Sequence, residues 1–432
     1  MTKAYLLLHA VTMQGALTAA FLQSHTTSTR TRTYSSSPKQ LSLAIHVPSW
    51  KEIESTLQTK TLTNNLPVDI DSTLSPSKPP SYPQDRPTLF RERHGWCPYS
   101  ERVWLALELK GIPYQTVRIE NSGYGRRPSY FGGSTPEMRW DDGQMQGESM
   151  DLVRQVHERY PNNGMDLYTE DCKNQVISNV SRAFDSIFPS RSLPSSRAAF
   201  LFRYNGEPLW KNEFETVLMD TNDLLGETDG PFFCGSQVTA ADVAWAPFLE
   251  RYAAQLPCLH DGLNPRMDSK SFPHLVNWYN AMEQLVPAYA CRVQGNTSSW
   301  RKVLVMAGFG NAGIPPQTVG RMETMDLEEC SSKAFLSLGE ETQQQELWNA
   351  YREGRPWVAP SPSMEAACVM VRNREAIVKD ALKRANGENQ VPATEEELDQ
   401  VMRAMVCALS DNQGGFDQDL VSQCRSTLGV KA

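Results

Sequence analysis

The sequence feature that most constrains the fold is the stretch from Trp96 to Gly111, WCPYSERVWLALELKG. Apolar residues recur after Cys97 with the spacing of a helix that has one apolar face, and Gly111 is placed to end that helix. The upstream run Thr88-Leu89-Phe90 has strand character. The sequence therefore predicts a strand, a short turn and a helix, with one thiol at the N-terminus of the helix.

Cys97 is the candidate nucleophile. Free backbone N–H groups and the helix dipole favour an anion at a helix N-terminus, so a cysteine placed there tends to react as its thiolate. The alternative is that Cys97 is a small buried residue, the usual role of a free cysteine. We favour the nucleophile because Cys-Pro-x-Ser between a strand and a helix is a fairly specific pattern. Ser100 stands where a second cysteine could sit, so an external thiol must resolve a mixed disulfide on Cys97.

Composition and charge narrow the classes of function. The chain has 432 residues and a formal net charge of −8, which indicates two to three domains and argues against nucleic acid as the main partner. Its nine cysteines include no CxxC pair and no cluster with zinc-site spacing, so we predict a reducing compartment and no metal site. No apolar run approaches the roughly 20 residues of a membrane span.

Residues 1–51 are predicted to be a targeting presequence. No Asp or Glu precedes Glu52, and a short apolar run from Ala4 to Val11 is followed by small residues up to Phe21. The Ser-, Thr- and Arg-rich stretch HTTSTRTRTYSSSPK then follows, which is typical of a transit peptide. This order resembles the bipartite leaders of algae with complex plastids. We therefore expect a plastid location, with the mitochondrion as the alternative.

Residues 52–85 are predicted to be a linker, because the stretch SPSKPPSYPQDRP is rich in proline and serine. A short helix over Ser49–Thr61 is also predicted, since Trp50, Ile53 and Leu57 fall on one stripe. Residues 86–161 then alternate strand-like and helical runs in the order βαβ…ββα. That order favours a thioredoxin-like α/β domain, in which a mixed sheet is flanked by helices.

Three motifs in this domain resemble the N-terminal domain of glutathione transferases: Cys97-Pro98-Tyr99-Ser100, then Pro136, then Glu148-Ser149. The cysteine-type classes are most similar, namely the omega-like and dehydroascorbate-reductase-like enzymes and their glutaredoxin relatives. The stretches GWCPYSERVWLALELKGIPY and STPEMRWDDGQMQGESMDL resemble in particular the glutathione-transferase-like proteins of cyanobacteria and plastids. The resemblance covers about residues 86–310 and implies a thioredoxin-like domain followed by an all-helical domain.

The resemblance implies a glutathione site. Thr135-Pro136 matches the family's cis proline, whose preceding residue offers its backbone N–H and C=O to the cysteine of glutathione. Glu148 is expected to pair with the γ-glutamyl ammonium, while the Ser149 hydroxyl and the helix N-terminus take the carboxylate. The alternative for Pro136 is a trans loop proline, and the alternative for Glu148-Ser149 is a plain helix cap. Trp96 either covers the sulfur or packs in the core. The implied glutathione-binding residues are Trp96, Cys97, Pro98, Tyr99, Thr135, Pro136, Glu148 and Ser149.

The sequence departs from the family in two ways. Many plastid-type relatives carry a cysteine where Ser100 stands, so dithiol chemistry would need another thiol, Cys234 or Cys291, near Cys97. The basic residue that omega-like enzymes use for the glycyl carboxylate has no clear match near Gly132-Gly133. The remaining candidates for that contact are Arg126, Arg127 and Arg139.

Residues 166–310 are predicted to be all-helical, with a helix over Gln175–Phe188 among the first. Thr239-Ala240-Ala241-Asp242 has the pattern of a capping box, and the resemblance makes it the start of the family's central buried helix. Asp242 is therefore expected to be structural. His260 and His274 lack a partnered motif and are expected to pack rather than to catalyse. Residues 311–432 are predicted to be a helical extension of unknown role.

The sequence thus predicts a glutathione transferase of the thioltransferase type, with Cys97 as nucleophile, glutathione as co-substrate and no metal. Cys97 attacks a mixed disulfide or an oxidised small substrate, and a second glutathione releases the glutathione left on it. The expected acceptors are small disulfides, glutathionylated thiols and dehydroascorbate-like molecules, with weak conjugation of electrophiles. The alternative is a non-catalytic binding or scaffolding module with this fold. The resemblance is also compatible with a homodimer.

Overall fold

The structure is a computed structural model that describes residues 47–58, 69–71, 85–93, 95–120, 128–169, 211–306, 316–332, 338–385, 394–410 and 418–427. The chain forms two compact units. We call Pro67–Ser332 the sheet unit, and Met1–Leu66 together with Lys333–Ala432 the helical unit. The predicted helix over Gln175–Phe188 and the predicted leader before residue 47 lie outside the described residues.

A five-stranded mixed sheet forms the first part of the sheet unit, with strand order β1-β3-β2-β4-β5. Strand β3 runs parallel to both β1 and β2, whereas β4 is antiparallel to β2 and to β5. This arrangement confirms the predicted α/β thioredoxin-like class. The strands are β1 Asp69–Asp71, β2 Thr88–Glu92, β3 Gln115–Ile119, β4 Glu137–Arg139 and β5 Met145–Gln146.

Strand β1 corrects the predicted linker. The prediction placed residues 52–85 in an irregular linker, yet Asp69–Asp71 pairs with Thr116, Val117 and Arg118 of β3. A three-residue strand carries no periodic pattern within a proline-rich stretch, so composition conceals it. Its backbone covers an edge of β3 that would otherwise present unpaired N–H and C=O groups.

Two helices belong to this first domain. Helix α2, Pro98–Lys110, begins directly after Cys97 and ends at Gly111, whose φ of 59° is left-handed and suits glycine. Helix α3, Ser149–Arg159, buries Leu152, Val153 and Val156. Both helices begin next to residues predicted for the site.

The rest of the sheet unit is helical. Helix α5, Ala240–Leu259, is buried along nearly its whole length and opens with the predicted capping box. Thr239 accepts from the helix backbone, and Asp242 accepts from the Thr239 N–H, so the structural role predicted for Asp242 is confirmed. The other helices are α4 Lys211–Leu225, α6 Pro273–Leu285, a π-helical turn at Tyr289–Val293, α7 Thr297–Met306 and α8 Pro316–Ser332.

Helix α8 corrects the predicted start of the extension at residue 311. This helix belongs to the sheet unit, where Asp326 pairs with the buried Arg301 of α7 at 2.6 Å. Such a pair joins residues that are distant in sequence, so no local pattern indicates it. The helical extension therefore starts after Ser332.

The helical unit combines the start of the described chain with its end. Helix α1, Trp50–Gln58, confirms the predicted stripe, because Ile53 and Leu57 are fully buried in a core with residues of the later helices. The Trp50 indole N–H donates to Asp399 at 2.6 Å, 349 residues further along the chain. The later helices are α9 Leu338–Arg352, α10 Pro362–Ala385, α11 Glu395–Leu409 and α12 Gln418–Thr427.

The predicted boundary between presequence and linker at residue 51 falls inside helix α1 of this core. Two arginines of the later helices hold the same segment: Arg403 donates to the carbonyls of Val47 and Pro48 at 3.0 Å, and Arg374 pairs with Glu54. Composition suggested a linker because the partner surface of α1 lies more than 300 residues away in sequence.

We expect Ile53→Ala to destabilise the helical unit by about 3 kcal/mol, because the change leaves a cavity where a fully buried side chain packed. Hydrogen exchange of peptides from α10 and α11 in the full chain should then speed up. Lys51→Ala, on the exposed side of the same helix, is the matched control and should leave that exchange unchanged. Equal exchange in both variants would mean that α1 does not contribute to this core.

Candidate functional site

Cys97 is the residue immediately before helix α2, with an extended backbone and a side chain that makes no capping hydrogen bond. The thiol is half-buried rather than sealed in the core. Its Sγ lies 3.8 Å from the Thr135 carbonyl oxygen, toward which the thiol donates. Cys97 is thus an accessible sulfur at a helix N-terminus, next to a loop that is 38 residues away in sequence.

The peptide bond between Thr135 and Pro136 is cis, as the resemblance implied. The sheet explains why this bond lies near Cys97: Glu137, which opens β4, pairs with Phe90 of β2. The chain leaves β2 toward Cys97 at the same end of the sheet where it enters β4 from Pro136. Thr135 therefore presents its backbone beside the sulfur.

Ser149 is the first residue of α3, and Glu148 immediately precedes it. Glu148 has a φ of 65°, an uncommon value for a residue with a side chain. Residues held in such conformations cluster at functional sites, where surrounding structure stabilises them. The Glu148 side chain is exposed and makes no capping hydrogen bond, so its carboxylate lies at the surface beside the N-terminus of α3.

Arg102 was not among the predicted site residues. It is buried on α2, where Nε donates to the Ala244 carbonyl at 2.9 Å and Nη1 donates to the Ser149 hydroxyl at 3.5 Å. Its guanidinium also lies 5.4 Å from the Tyr99 ring and 5.1 Å from the Phe248 ring. A positive charge next to the N-terminus of α3 favours a carboxylate there. The only sequence signal for Arg102 was its position on the helix that follows Cys97. An arginine on a helix is usually a solvated charge, so this position did not single it out.

Tyr99 and Trp96 flank the sulfur in sequence. The Tyr99 ring packs edge-on against Phe248 with centroids 6.0 Å apart, and burial raises the pKa of the Tyr99 phenol, so the phenol stays neutral. Trp96 is half-buried, and its N–H donates to the Glu92 carboxylate at 2.8 Å. Pro98 is buried at the first position of α2.

Cys234 and Cys291 were the candidates for a second thiol that could resolve a disulfide on Cys97. Cys234 lies 2.9 Å from the Thr239 hydroxyl at the start of α5, and Cys291 is buried in the π-helical turn. The cysteines whose side chains the structure describes are Cys97, Cys234, Cys258, Cys291, Cys368 and Cys407. The contact of Cys234 with Thr239 and the burial of Cys291 lend no support to a resolving thiol beside Cys97.

The three arginines that were candidates for binding the glycyl carboxylate of glutathione differ in what the structure describes of them. Arg139 ends β4 and lies beside Gly143 in the hairpin turn, at the other end of the strand from Pro136. Arg126 and Arg127 lie outside the described residues.

Within the described ranges, no group of His, Cys, Asp and Glu is arranged to hold a metal ion. No described helix is long and apolar enough to cross a membrane.

Comparison with known proteins yields two matching family models, the N-terminal domain of glutathione S-transferase at residues 96–159 and its C-terminal domain at residues 208–281. Glutathione S-transferase L1 of Arabidopsis thaliana is 26% identical over 199 residues, which cover 44% of this chain and 76% of the relative. Glutathione S-transferase DHAR2 of the same plant is 29% identical, covering 36% and 66%. The chloroplastic glutathione S-transferase L2 is 25% identical, covering 44% and 61%.

A thioredoxin-like domain joined to an all-helical domain is the architecture of glutathione transferases, and both family models fall where these two domains lie. These matches support a place for the chain in the glutathione transferase superfamily, among its cysteine-type members. These relatives support glutathione-dependent transferase or reductase activity at the level of the family.

Proposed function

We propose that this protein is a glutathione-dependent thiol transferase that uses Cys97 as its nucleophile. The observation that carries the proposal is the half-buried Cys97 sulfur at the N-terminus of α2, 3.8 Å from the carbonyl of Thr135. A helix N-terminus favours the thiolate over the thiol. The family resemblance implies that the cysteine of a bound glutathione would lie against the backbone of Thr135, the residue before the cis bond.

The rest of the proposed glutathione site follows from charge. The γ-glutamyl carboxylate would bind the Ser149 hydroxyl and the N-terminus of α3, where the buried Arg102 adds a positive charge. Because Arg102 donates to the Ser149 oxygen, the serine proton is free to donate to that carboxylate. The exposed Glu148 carboxylate would pair with the γ-glutamyl ammonium. Trp96, Pro98 and Tyr99 would surround the sulfur.

The chemistry requires two disulfide exchanges. The Cys97 thiolate attacks the glutathione sulfur of a mixed disulfide, so that a new S–S bond forms and the other thiol leaves as a thiolate that takes up a proton. The thiolate of a second glutathione then attacks the glutathione sulfur held by Cys97. Glutathione disulfide leaves, and Cys97 is regenerated. Ser100 is buried and has no thiol, so the second step depends on free glutathione.

The resemblance and the comparisons also bear on acceptor and location. The family resemblance implies small oxidised acceptors of the dehydroascorbate type, whose reduction would take its two electrons from two glutathione thiols. A relative named chloroplastic supports the plastid for this chain. The separate helical unit favours a second candidate function, a scaffolding module, because such a unit is not needed for thiol transfer.

The test is to incubate the full chain with glutathione disulfide and to measure the intact mass. We expect one glutathione adduct, located on Cys97 by peptide mass and removed by dithiothreitol. Cys234→Ser is the matched control, because Cys234 is another half-buried thiol near a helix N-terminus. That variant should keep the adduct, whereas Cys97→Ser should lose it. An adduct that survives Cys97→Ser, or no adduct at all, would refute the proposal.

A further inference from the structure

Three charged side chains are buried where α2 packs against α5. Glu101 lies on α2, four residues after Cys97, whereas Glu250 and Arg251 are neighbours on α5. Their exposed fractions are only 3%, 4% and 7%. Burying charges in this way is costly unless they are paired, so the arrangement calls for an explanation.

Arg251 of α5 contacts both Glu101 of α2 and Trp96, the residue immediately before Cys97. Its Nη1 pairs with the Glu101 carboxylate at 2.8 Å, and its Nη2 donates to the Trp96 carbonyl at 3.0 Å. The guanidinium also stacks over the Trp300 ring at 4.0 Å. Since the Trp96 N–H is bound by Glu92, both backbone polar groups of Trp96 are held.

Glu250 is held by donors from the segment that follows α6. Its Oε1 accepts from the Trp300 indole at 2.8 Å and from the Gly295 N–H. Burial, followed by the Glu101 charge, raises the pKa of Glu250 well above its ordinary value, which favours the neutral acid at this position.

We propose that Arg251 is a positioning residue for Cys97: by holding the Trp96 carbonyl, it sets the backbone turn that presents the sulfur. This inference rests on the proposed thiol-transfer function. Arg251 lies on a helix of the second domain, so that domain would shape the nucleophile as well as pack against the first domain. A displacement of about 1 Å at a reacting atom can cost about 100-fold in rate.

Two substitutions separate the hydrogen bond from the charge. Arg251→Met removes both, and we expect kcat for thiol transfer to fall at least about 10-fold, with KM for glutathione changing less than about threefold. Arg251→Lys keeps a cation beside Glu101 but offers one ammonium in place of the two-armed guanidinium. We expect it to recover the thermal stability lost in Arg251→Met but not the kcat. Full recovery of kcat by lysine would overturn the proposal.

Arg266→Met is the matched control. Arg266 also pairs with a glutamate, Glu283, and lies 5.5 Å from an aromatic ring, that of Tyr279, and neither of these contacts involves the Cys97 turn. We expect its kcat to stay within about twofold of that of the unmodified chain. A fall as large as that of Arg251→Met would mean that any lost ion pair in this domain has the same effect, and the specific role of Arg251 would be disproved.

A second readout does not depend on glutathione. The rate of Cys97 alkylation by iodoacetamide is measured by peptide mass, with Cys234 in the same samples as an internal reference. We expect Arg251→Met to change the Cys97 rate by more than about threefold and to leave the Cys234 rate unchanged. Equal changes at both thiols would contradict positioning. If the unmodified chain forms no glutathione adduct but Arg251→Met still alters Cys97 alone, the thiol-transfer function fails while the contact stands.

Discussion

Replacing Cys97 by serine is expected to lower glutathione-dependent thiol transfer at least about 100-fold, because a hydroxyl cannot form the disulfide intermediate. The oxygen takes the place of a sulfur that lies at the N-terminus of α2 and 3.8 Å from the Thr135 carbonyl. The surrounding hydrogen bonds change little, so the variant should fold. The measurement is the rate of glutathione oxidation with a small mixed-disulfide substrate, followed through a coupled consumption of NADPH.

Cys234→Ser is the control for this prediction and should retain the activity of the unmodified chain. A Cys97→Ser variant with residual activity near that of Cys234→Ser would show that another group is the nucleophile. If the unmodified chain itself shows no thiol transfer and Cys97 resists alkylation, the scaffolding function becomes the better account. In that case, the helical unit is the part of the molecule in which to search for a partner.

The second large effect is expected at Asp242, where Asp242→Ala should destabilise the sheet unit by about 4 kcal/mol. One carboxylate oxygen accepts from the Trp278 indole at 2.9 Å and the Phe233 N–H at 3.2 Å. The other accepts from the Thr239 N–H at 2.8 Å and the Thr239 hydroxyl at 3.2 Å. Alanine leaves these buried donors without an acceptor, and each such loss costs about 1–3 kcal/mol. Urea unfolding of the full chain, followed by tryptophan fluorescence, measures the change.

Asp220→Ala is the matched control, because Asp220 is an exposed carboxylate on α4. We expect that change to shift the free energy of unfolding by less than about 0.5 kcal/mol. Similar losses in the two variants would show that the hydrogen bonds to Asp242 do not stabilise the fold.

The contribution of Asp242 to the free energy of unfolding is also expected to depend on pH. Burial raises its pKa from 3.8 to about 6, so between these values the folded chain holds a proton that the unfolded chain has released. The contribution of this group to stability is therefore full below pH 4 and falls as the pH rises to about 6, by about 3 kcal/mol. Asp242→Ala should lack this loss. The difference in unfolding free energy between the two proteins should therefore be larger at pH 4 than at pH 7, and a constant difference would contradict the assignment.

The local elements of the site could be predicted because their signals lie within a few residues. A glycine ends α2, apolar spacing defines its length, and a threonine and an aspartate three residues apart open α5. Each of these signals depends on backbone geometry and short-range hydrogen bonds, which the residues themselves specify. The cis bond before Pro136 and the serine that begins α3, in contrast, were implied by the family resemblance.

The long-range contacts could not be predicted. Arg102 reaches Ser149 across 47 residues, and Arg251 reaches Trp96 across 155. An arginine on a helix has the same local pattern whether water or a buried carboxylate surrounds it. Only packing decides which, because the cost of burial and the available partners depend on elements distant in sequence.

Residue types alone therefore established where the sulfur lies along the chain and what kind of helix follows it. Folding in three dimensions decided what surrounds that sulfur, and it joined helix α1 to a core built from the far end of the chain. The physical reason is the range of the forces involved. Helix caps and turns are stabilised by neighbouring residues. Whether a charge or an apolar stripe is buried, and whether its burial is favourable, depends on the surfaces that cover it, which come from distant parts of the chain.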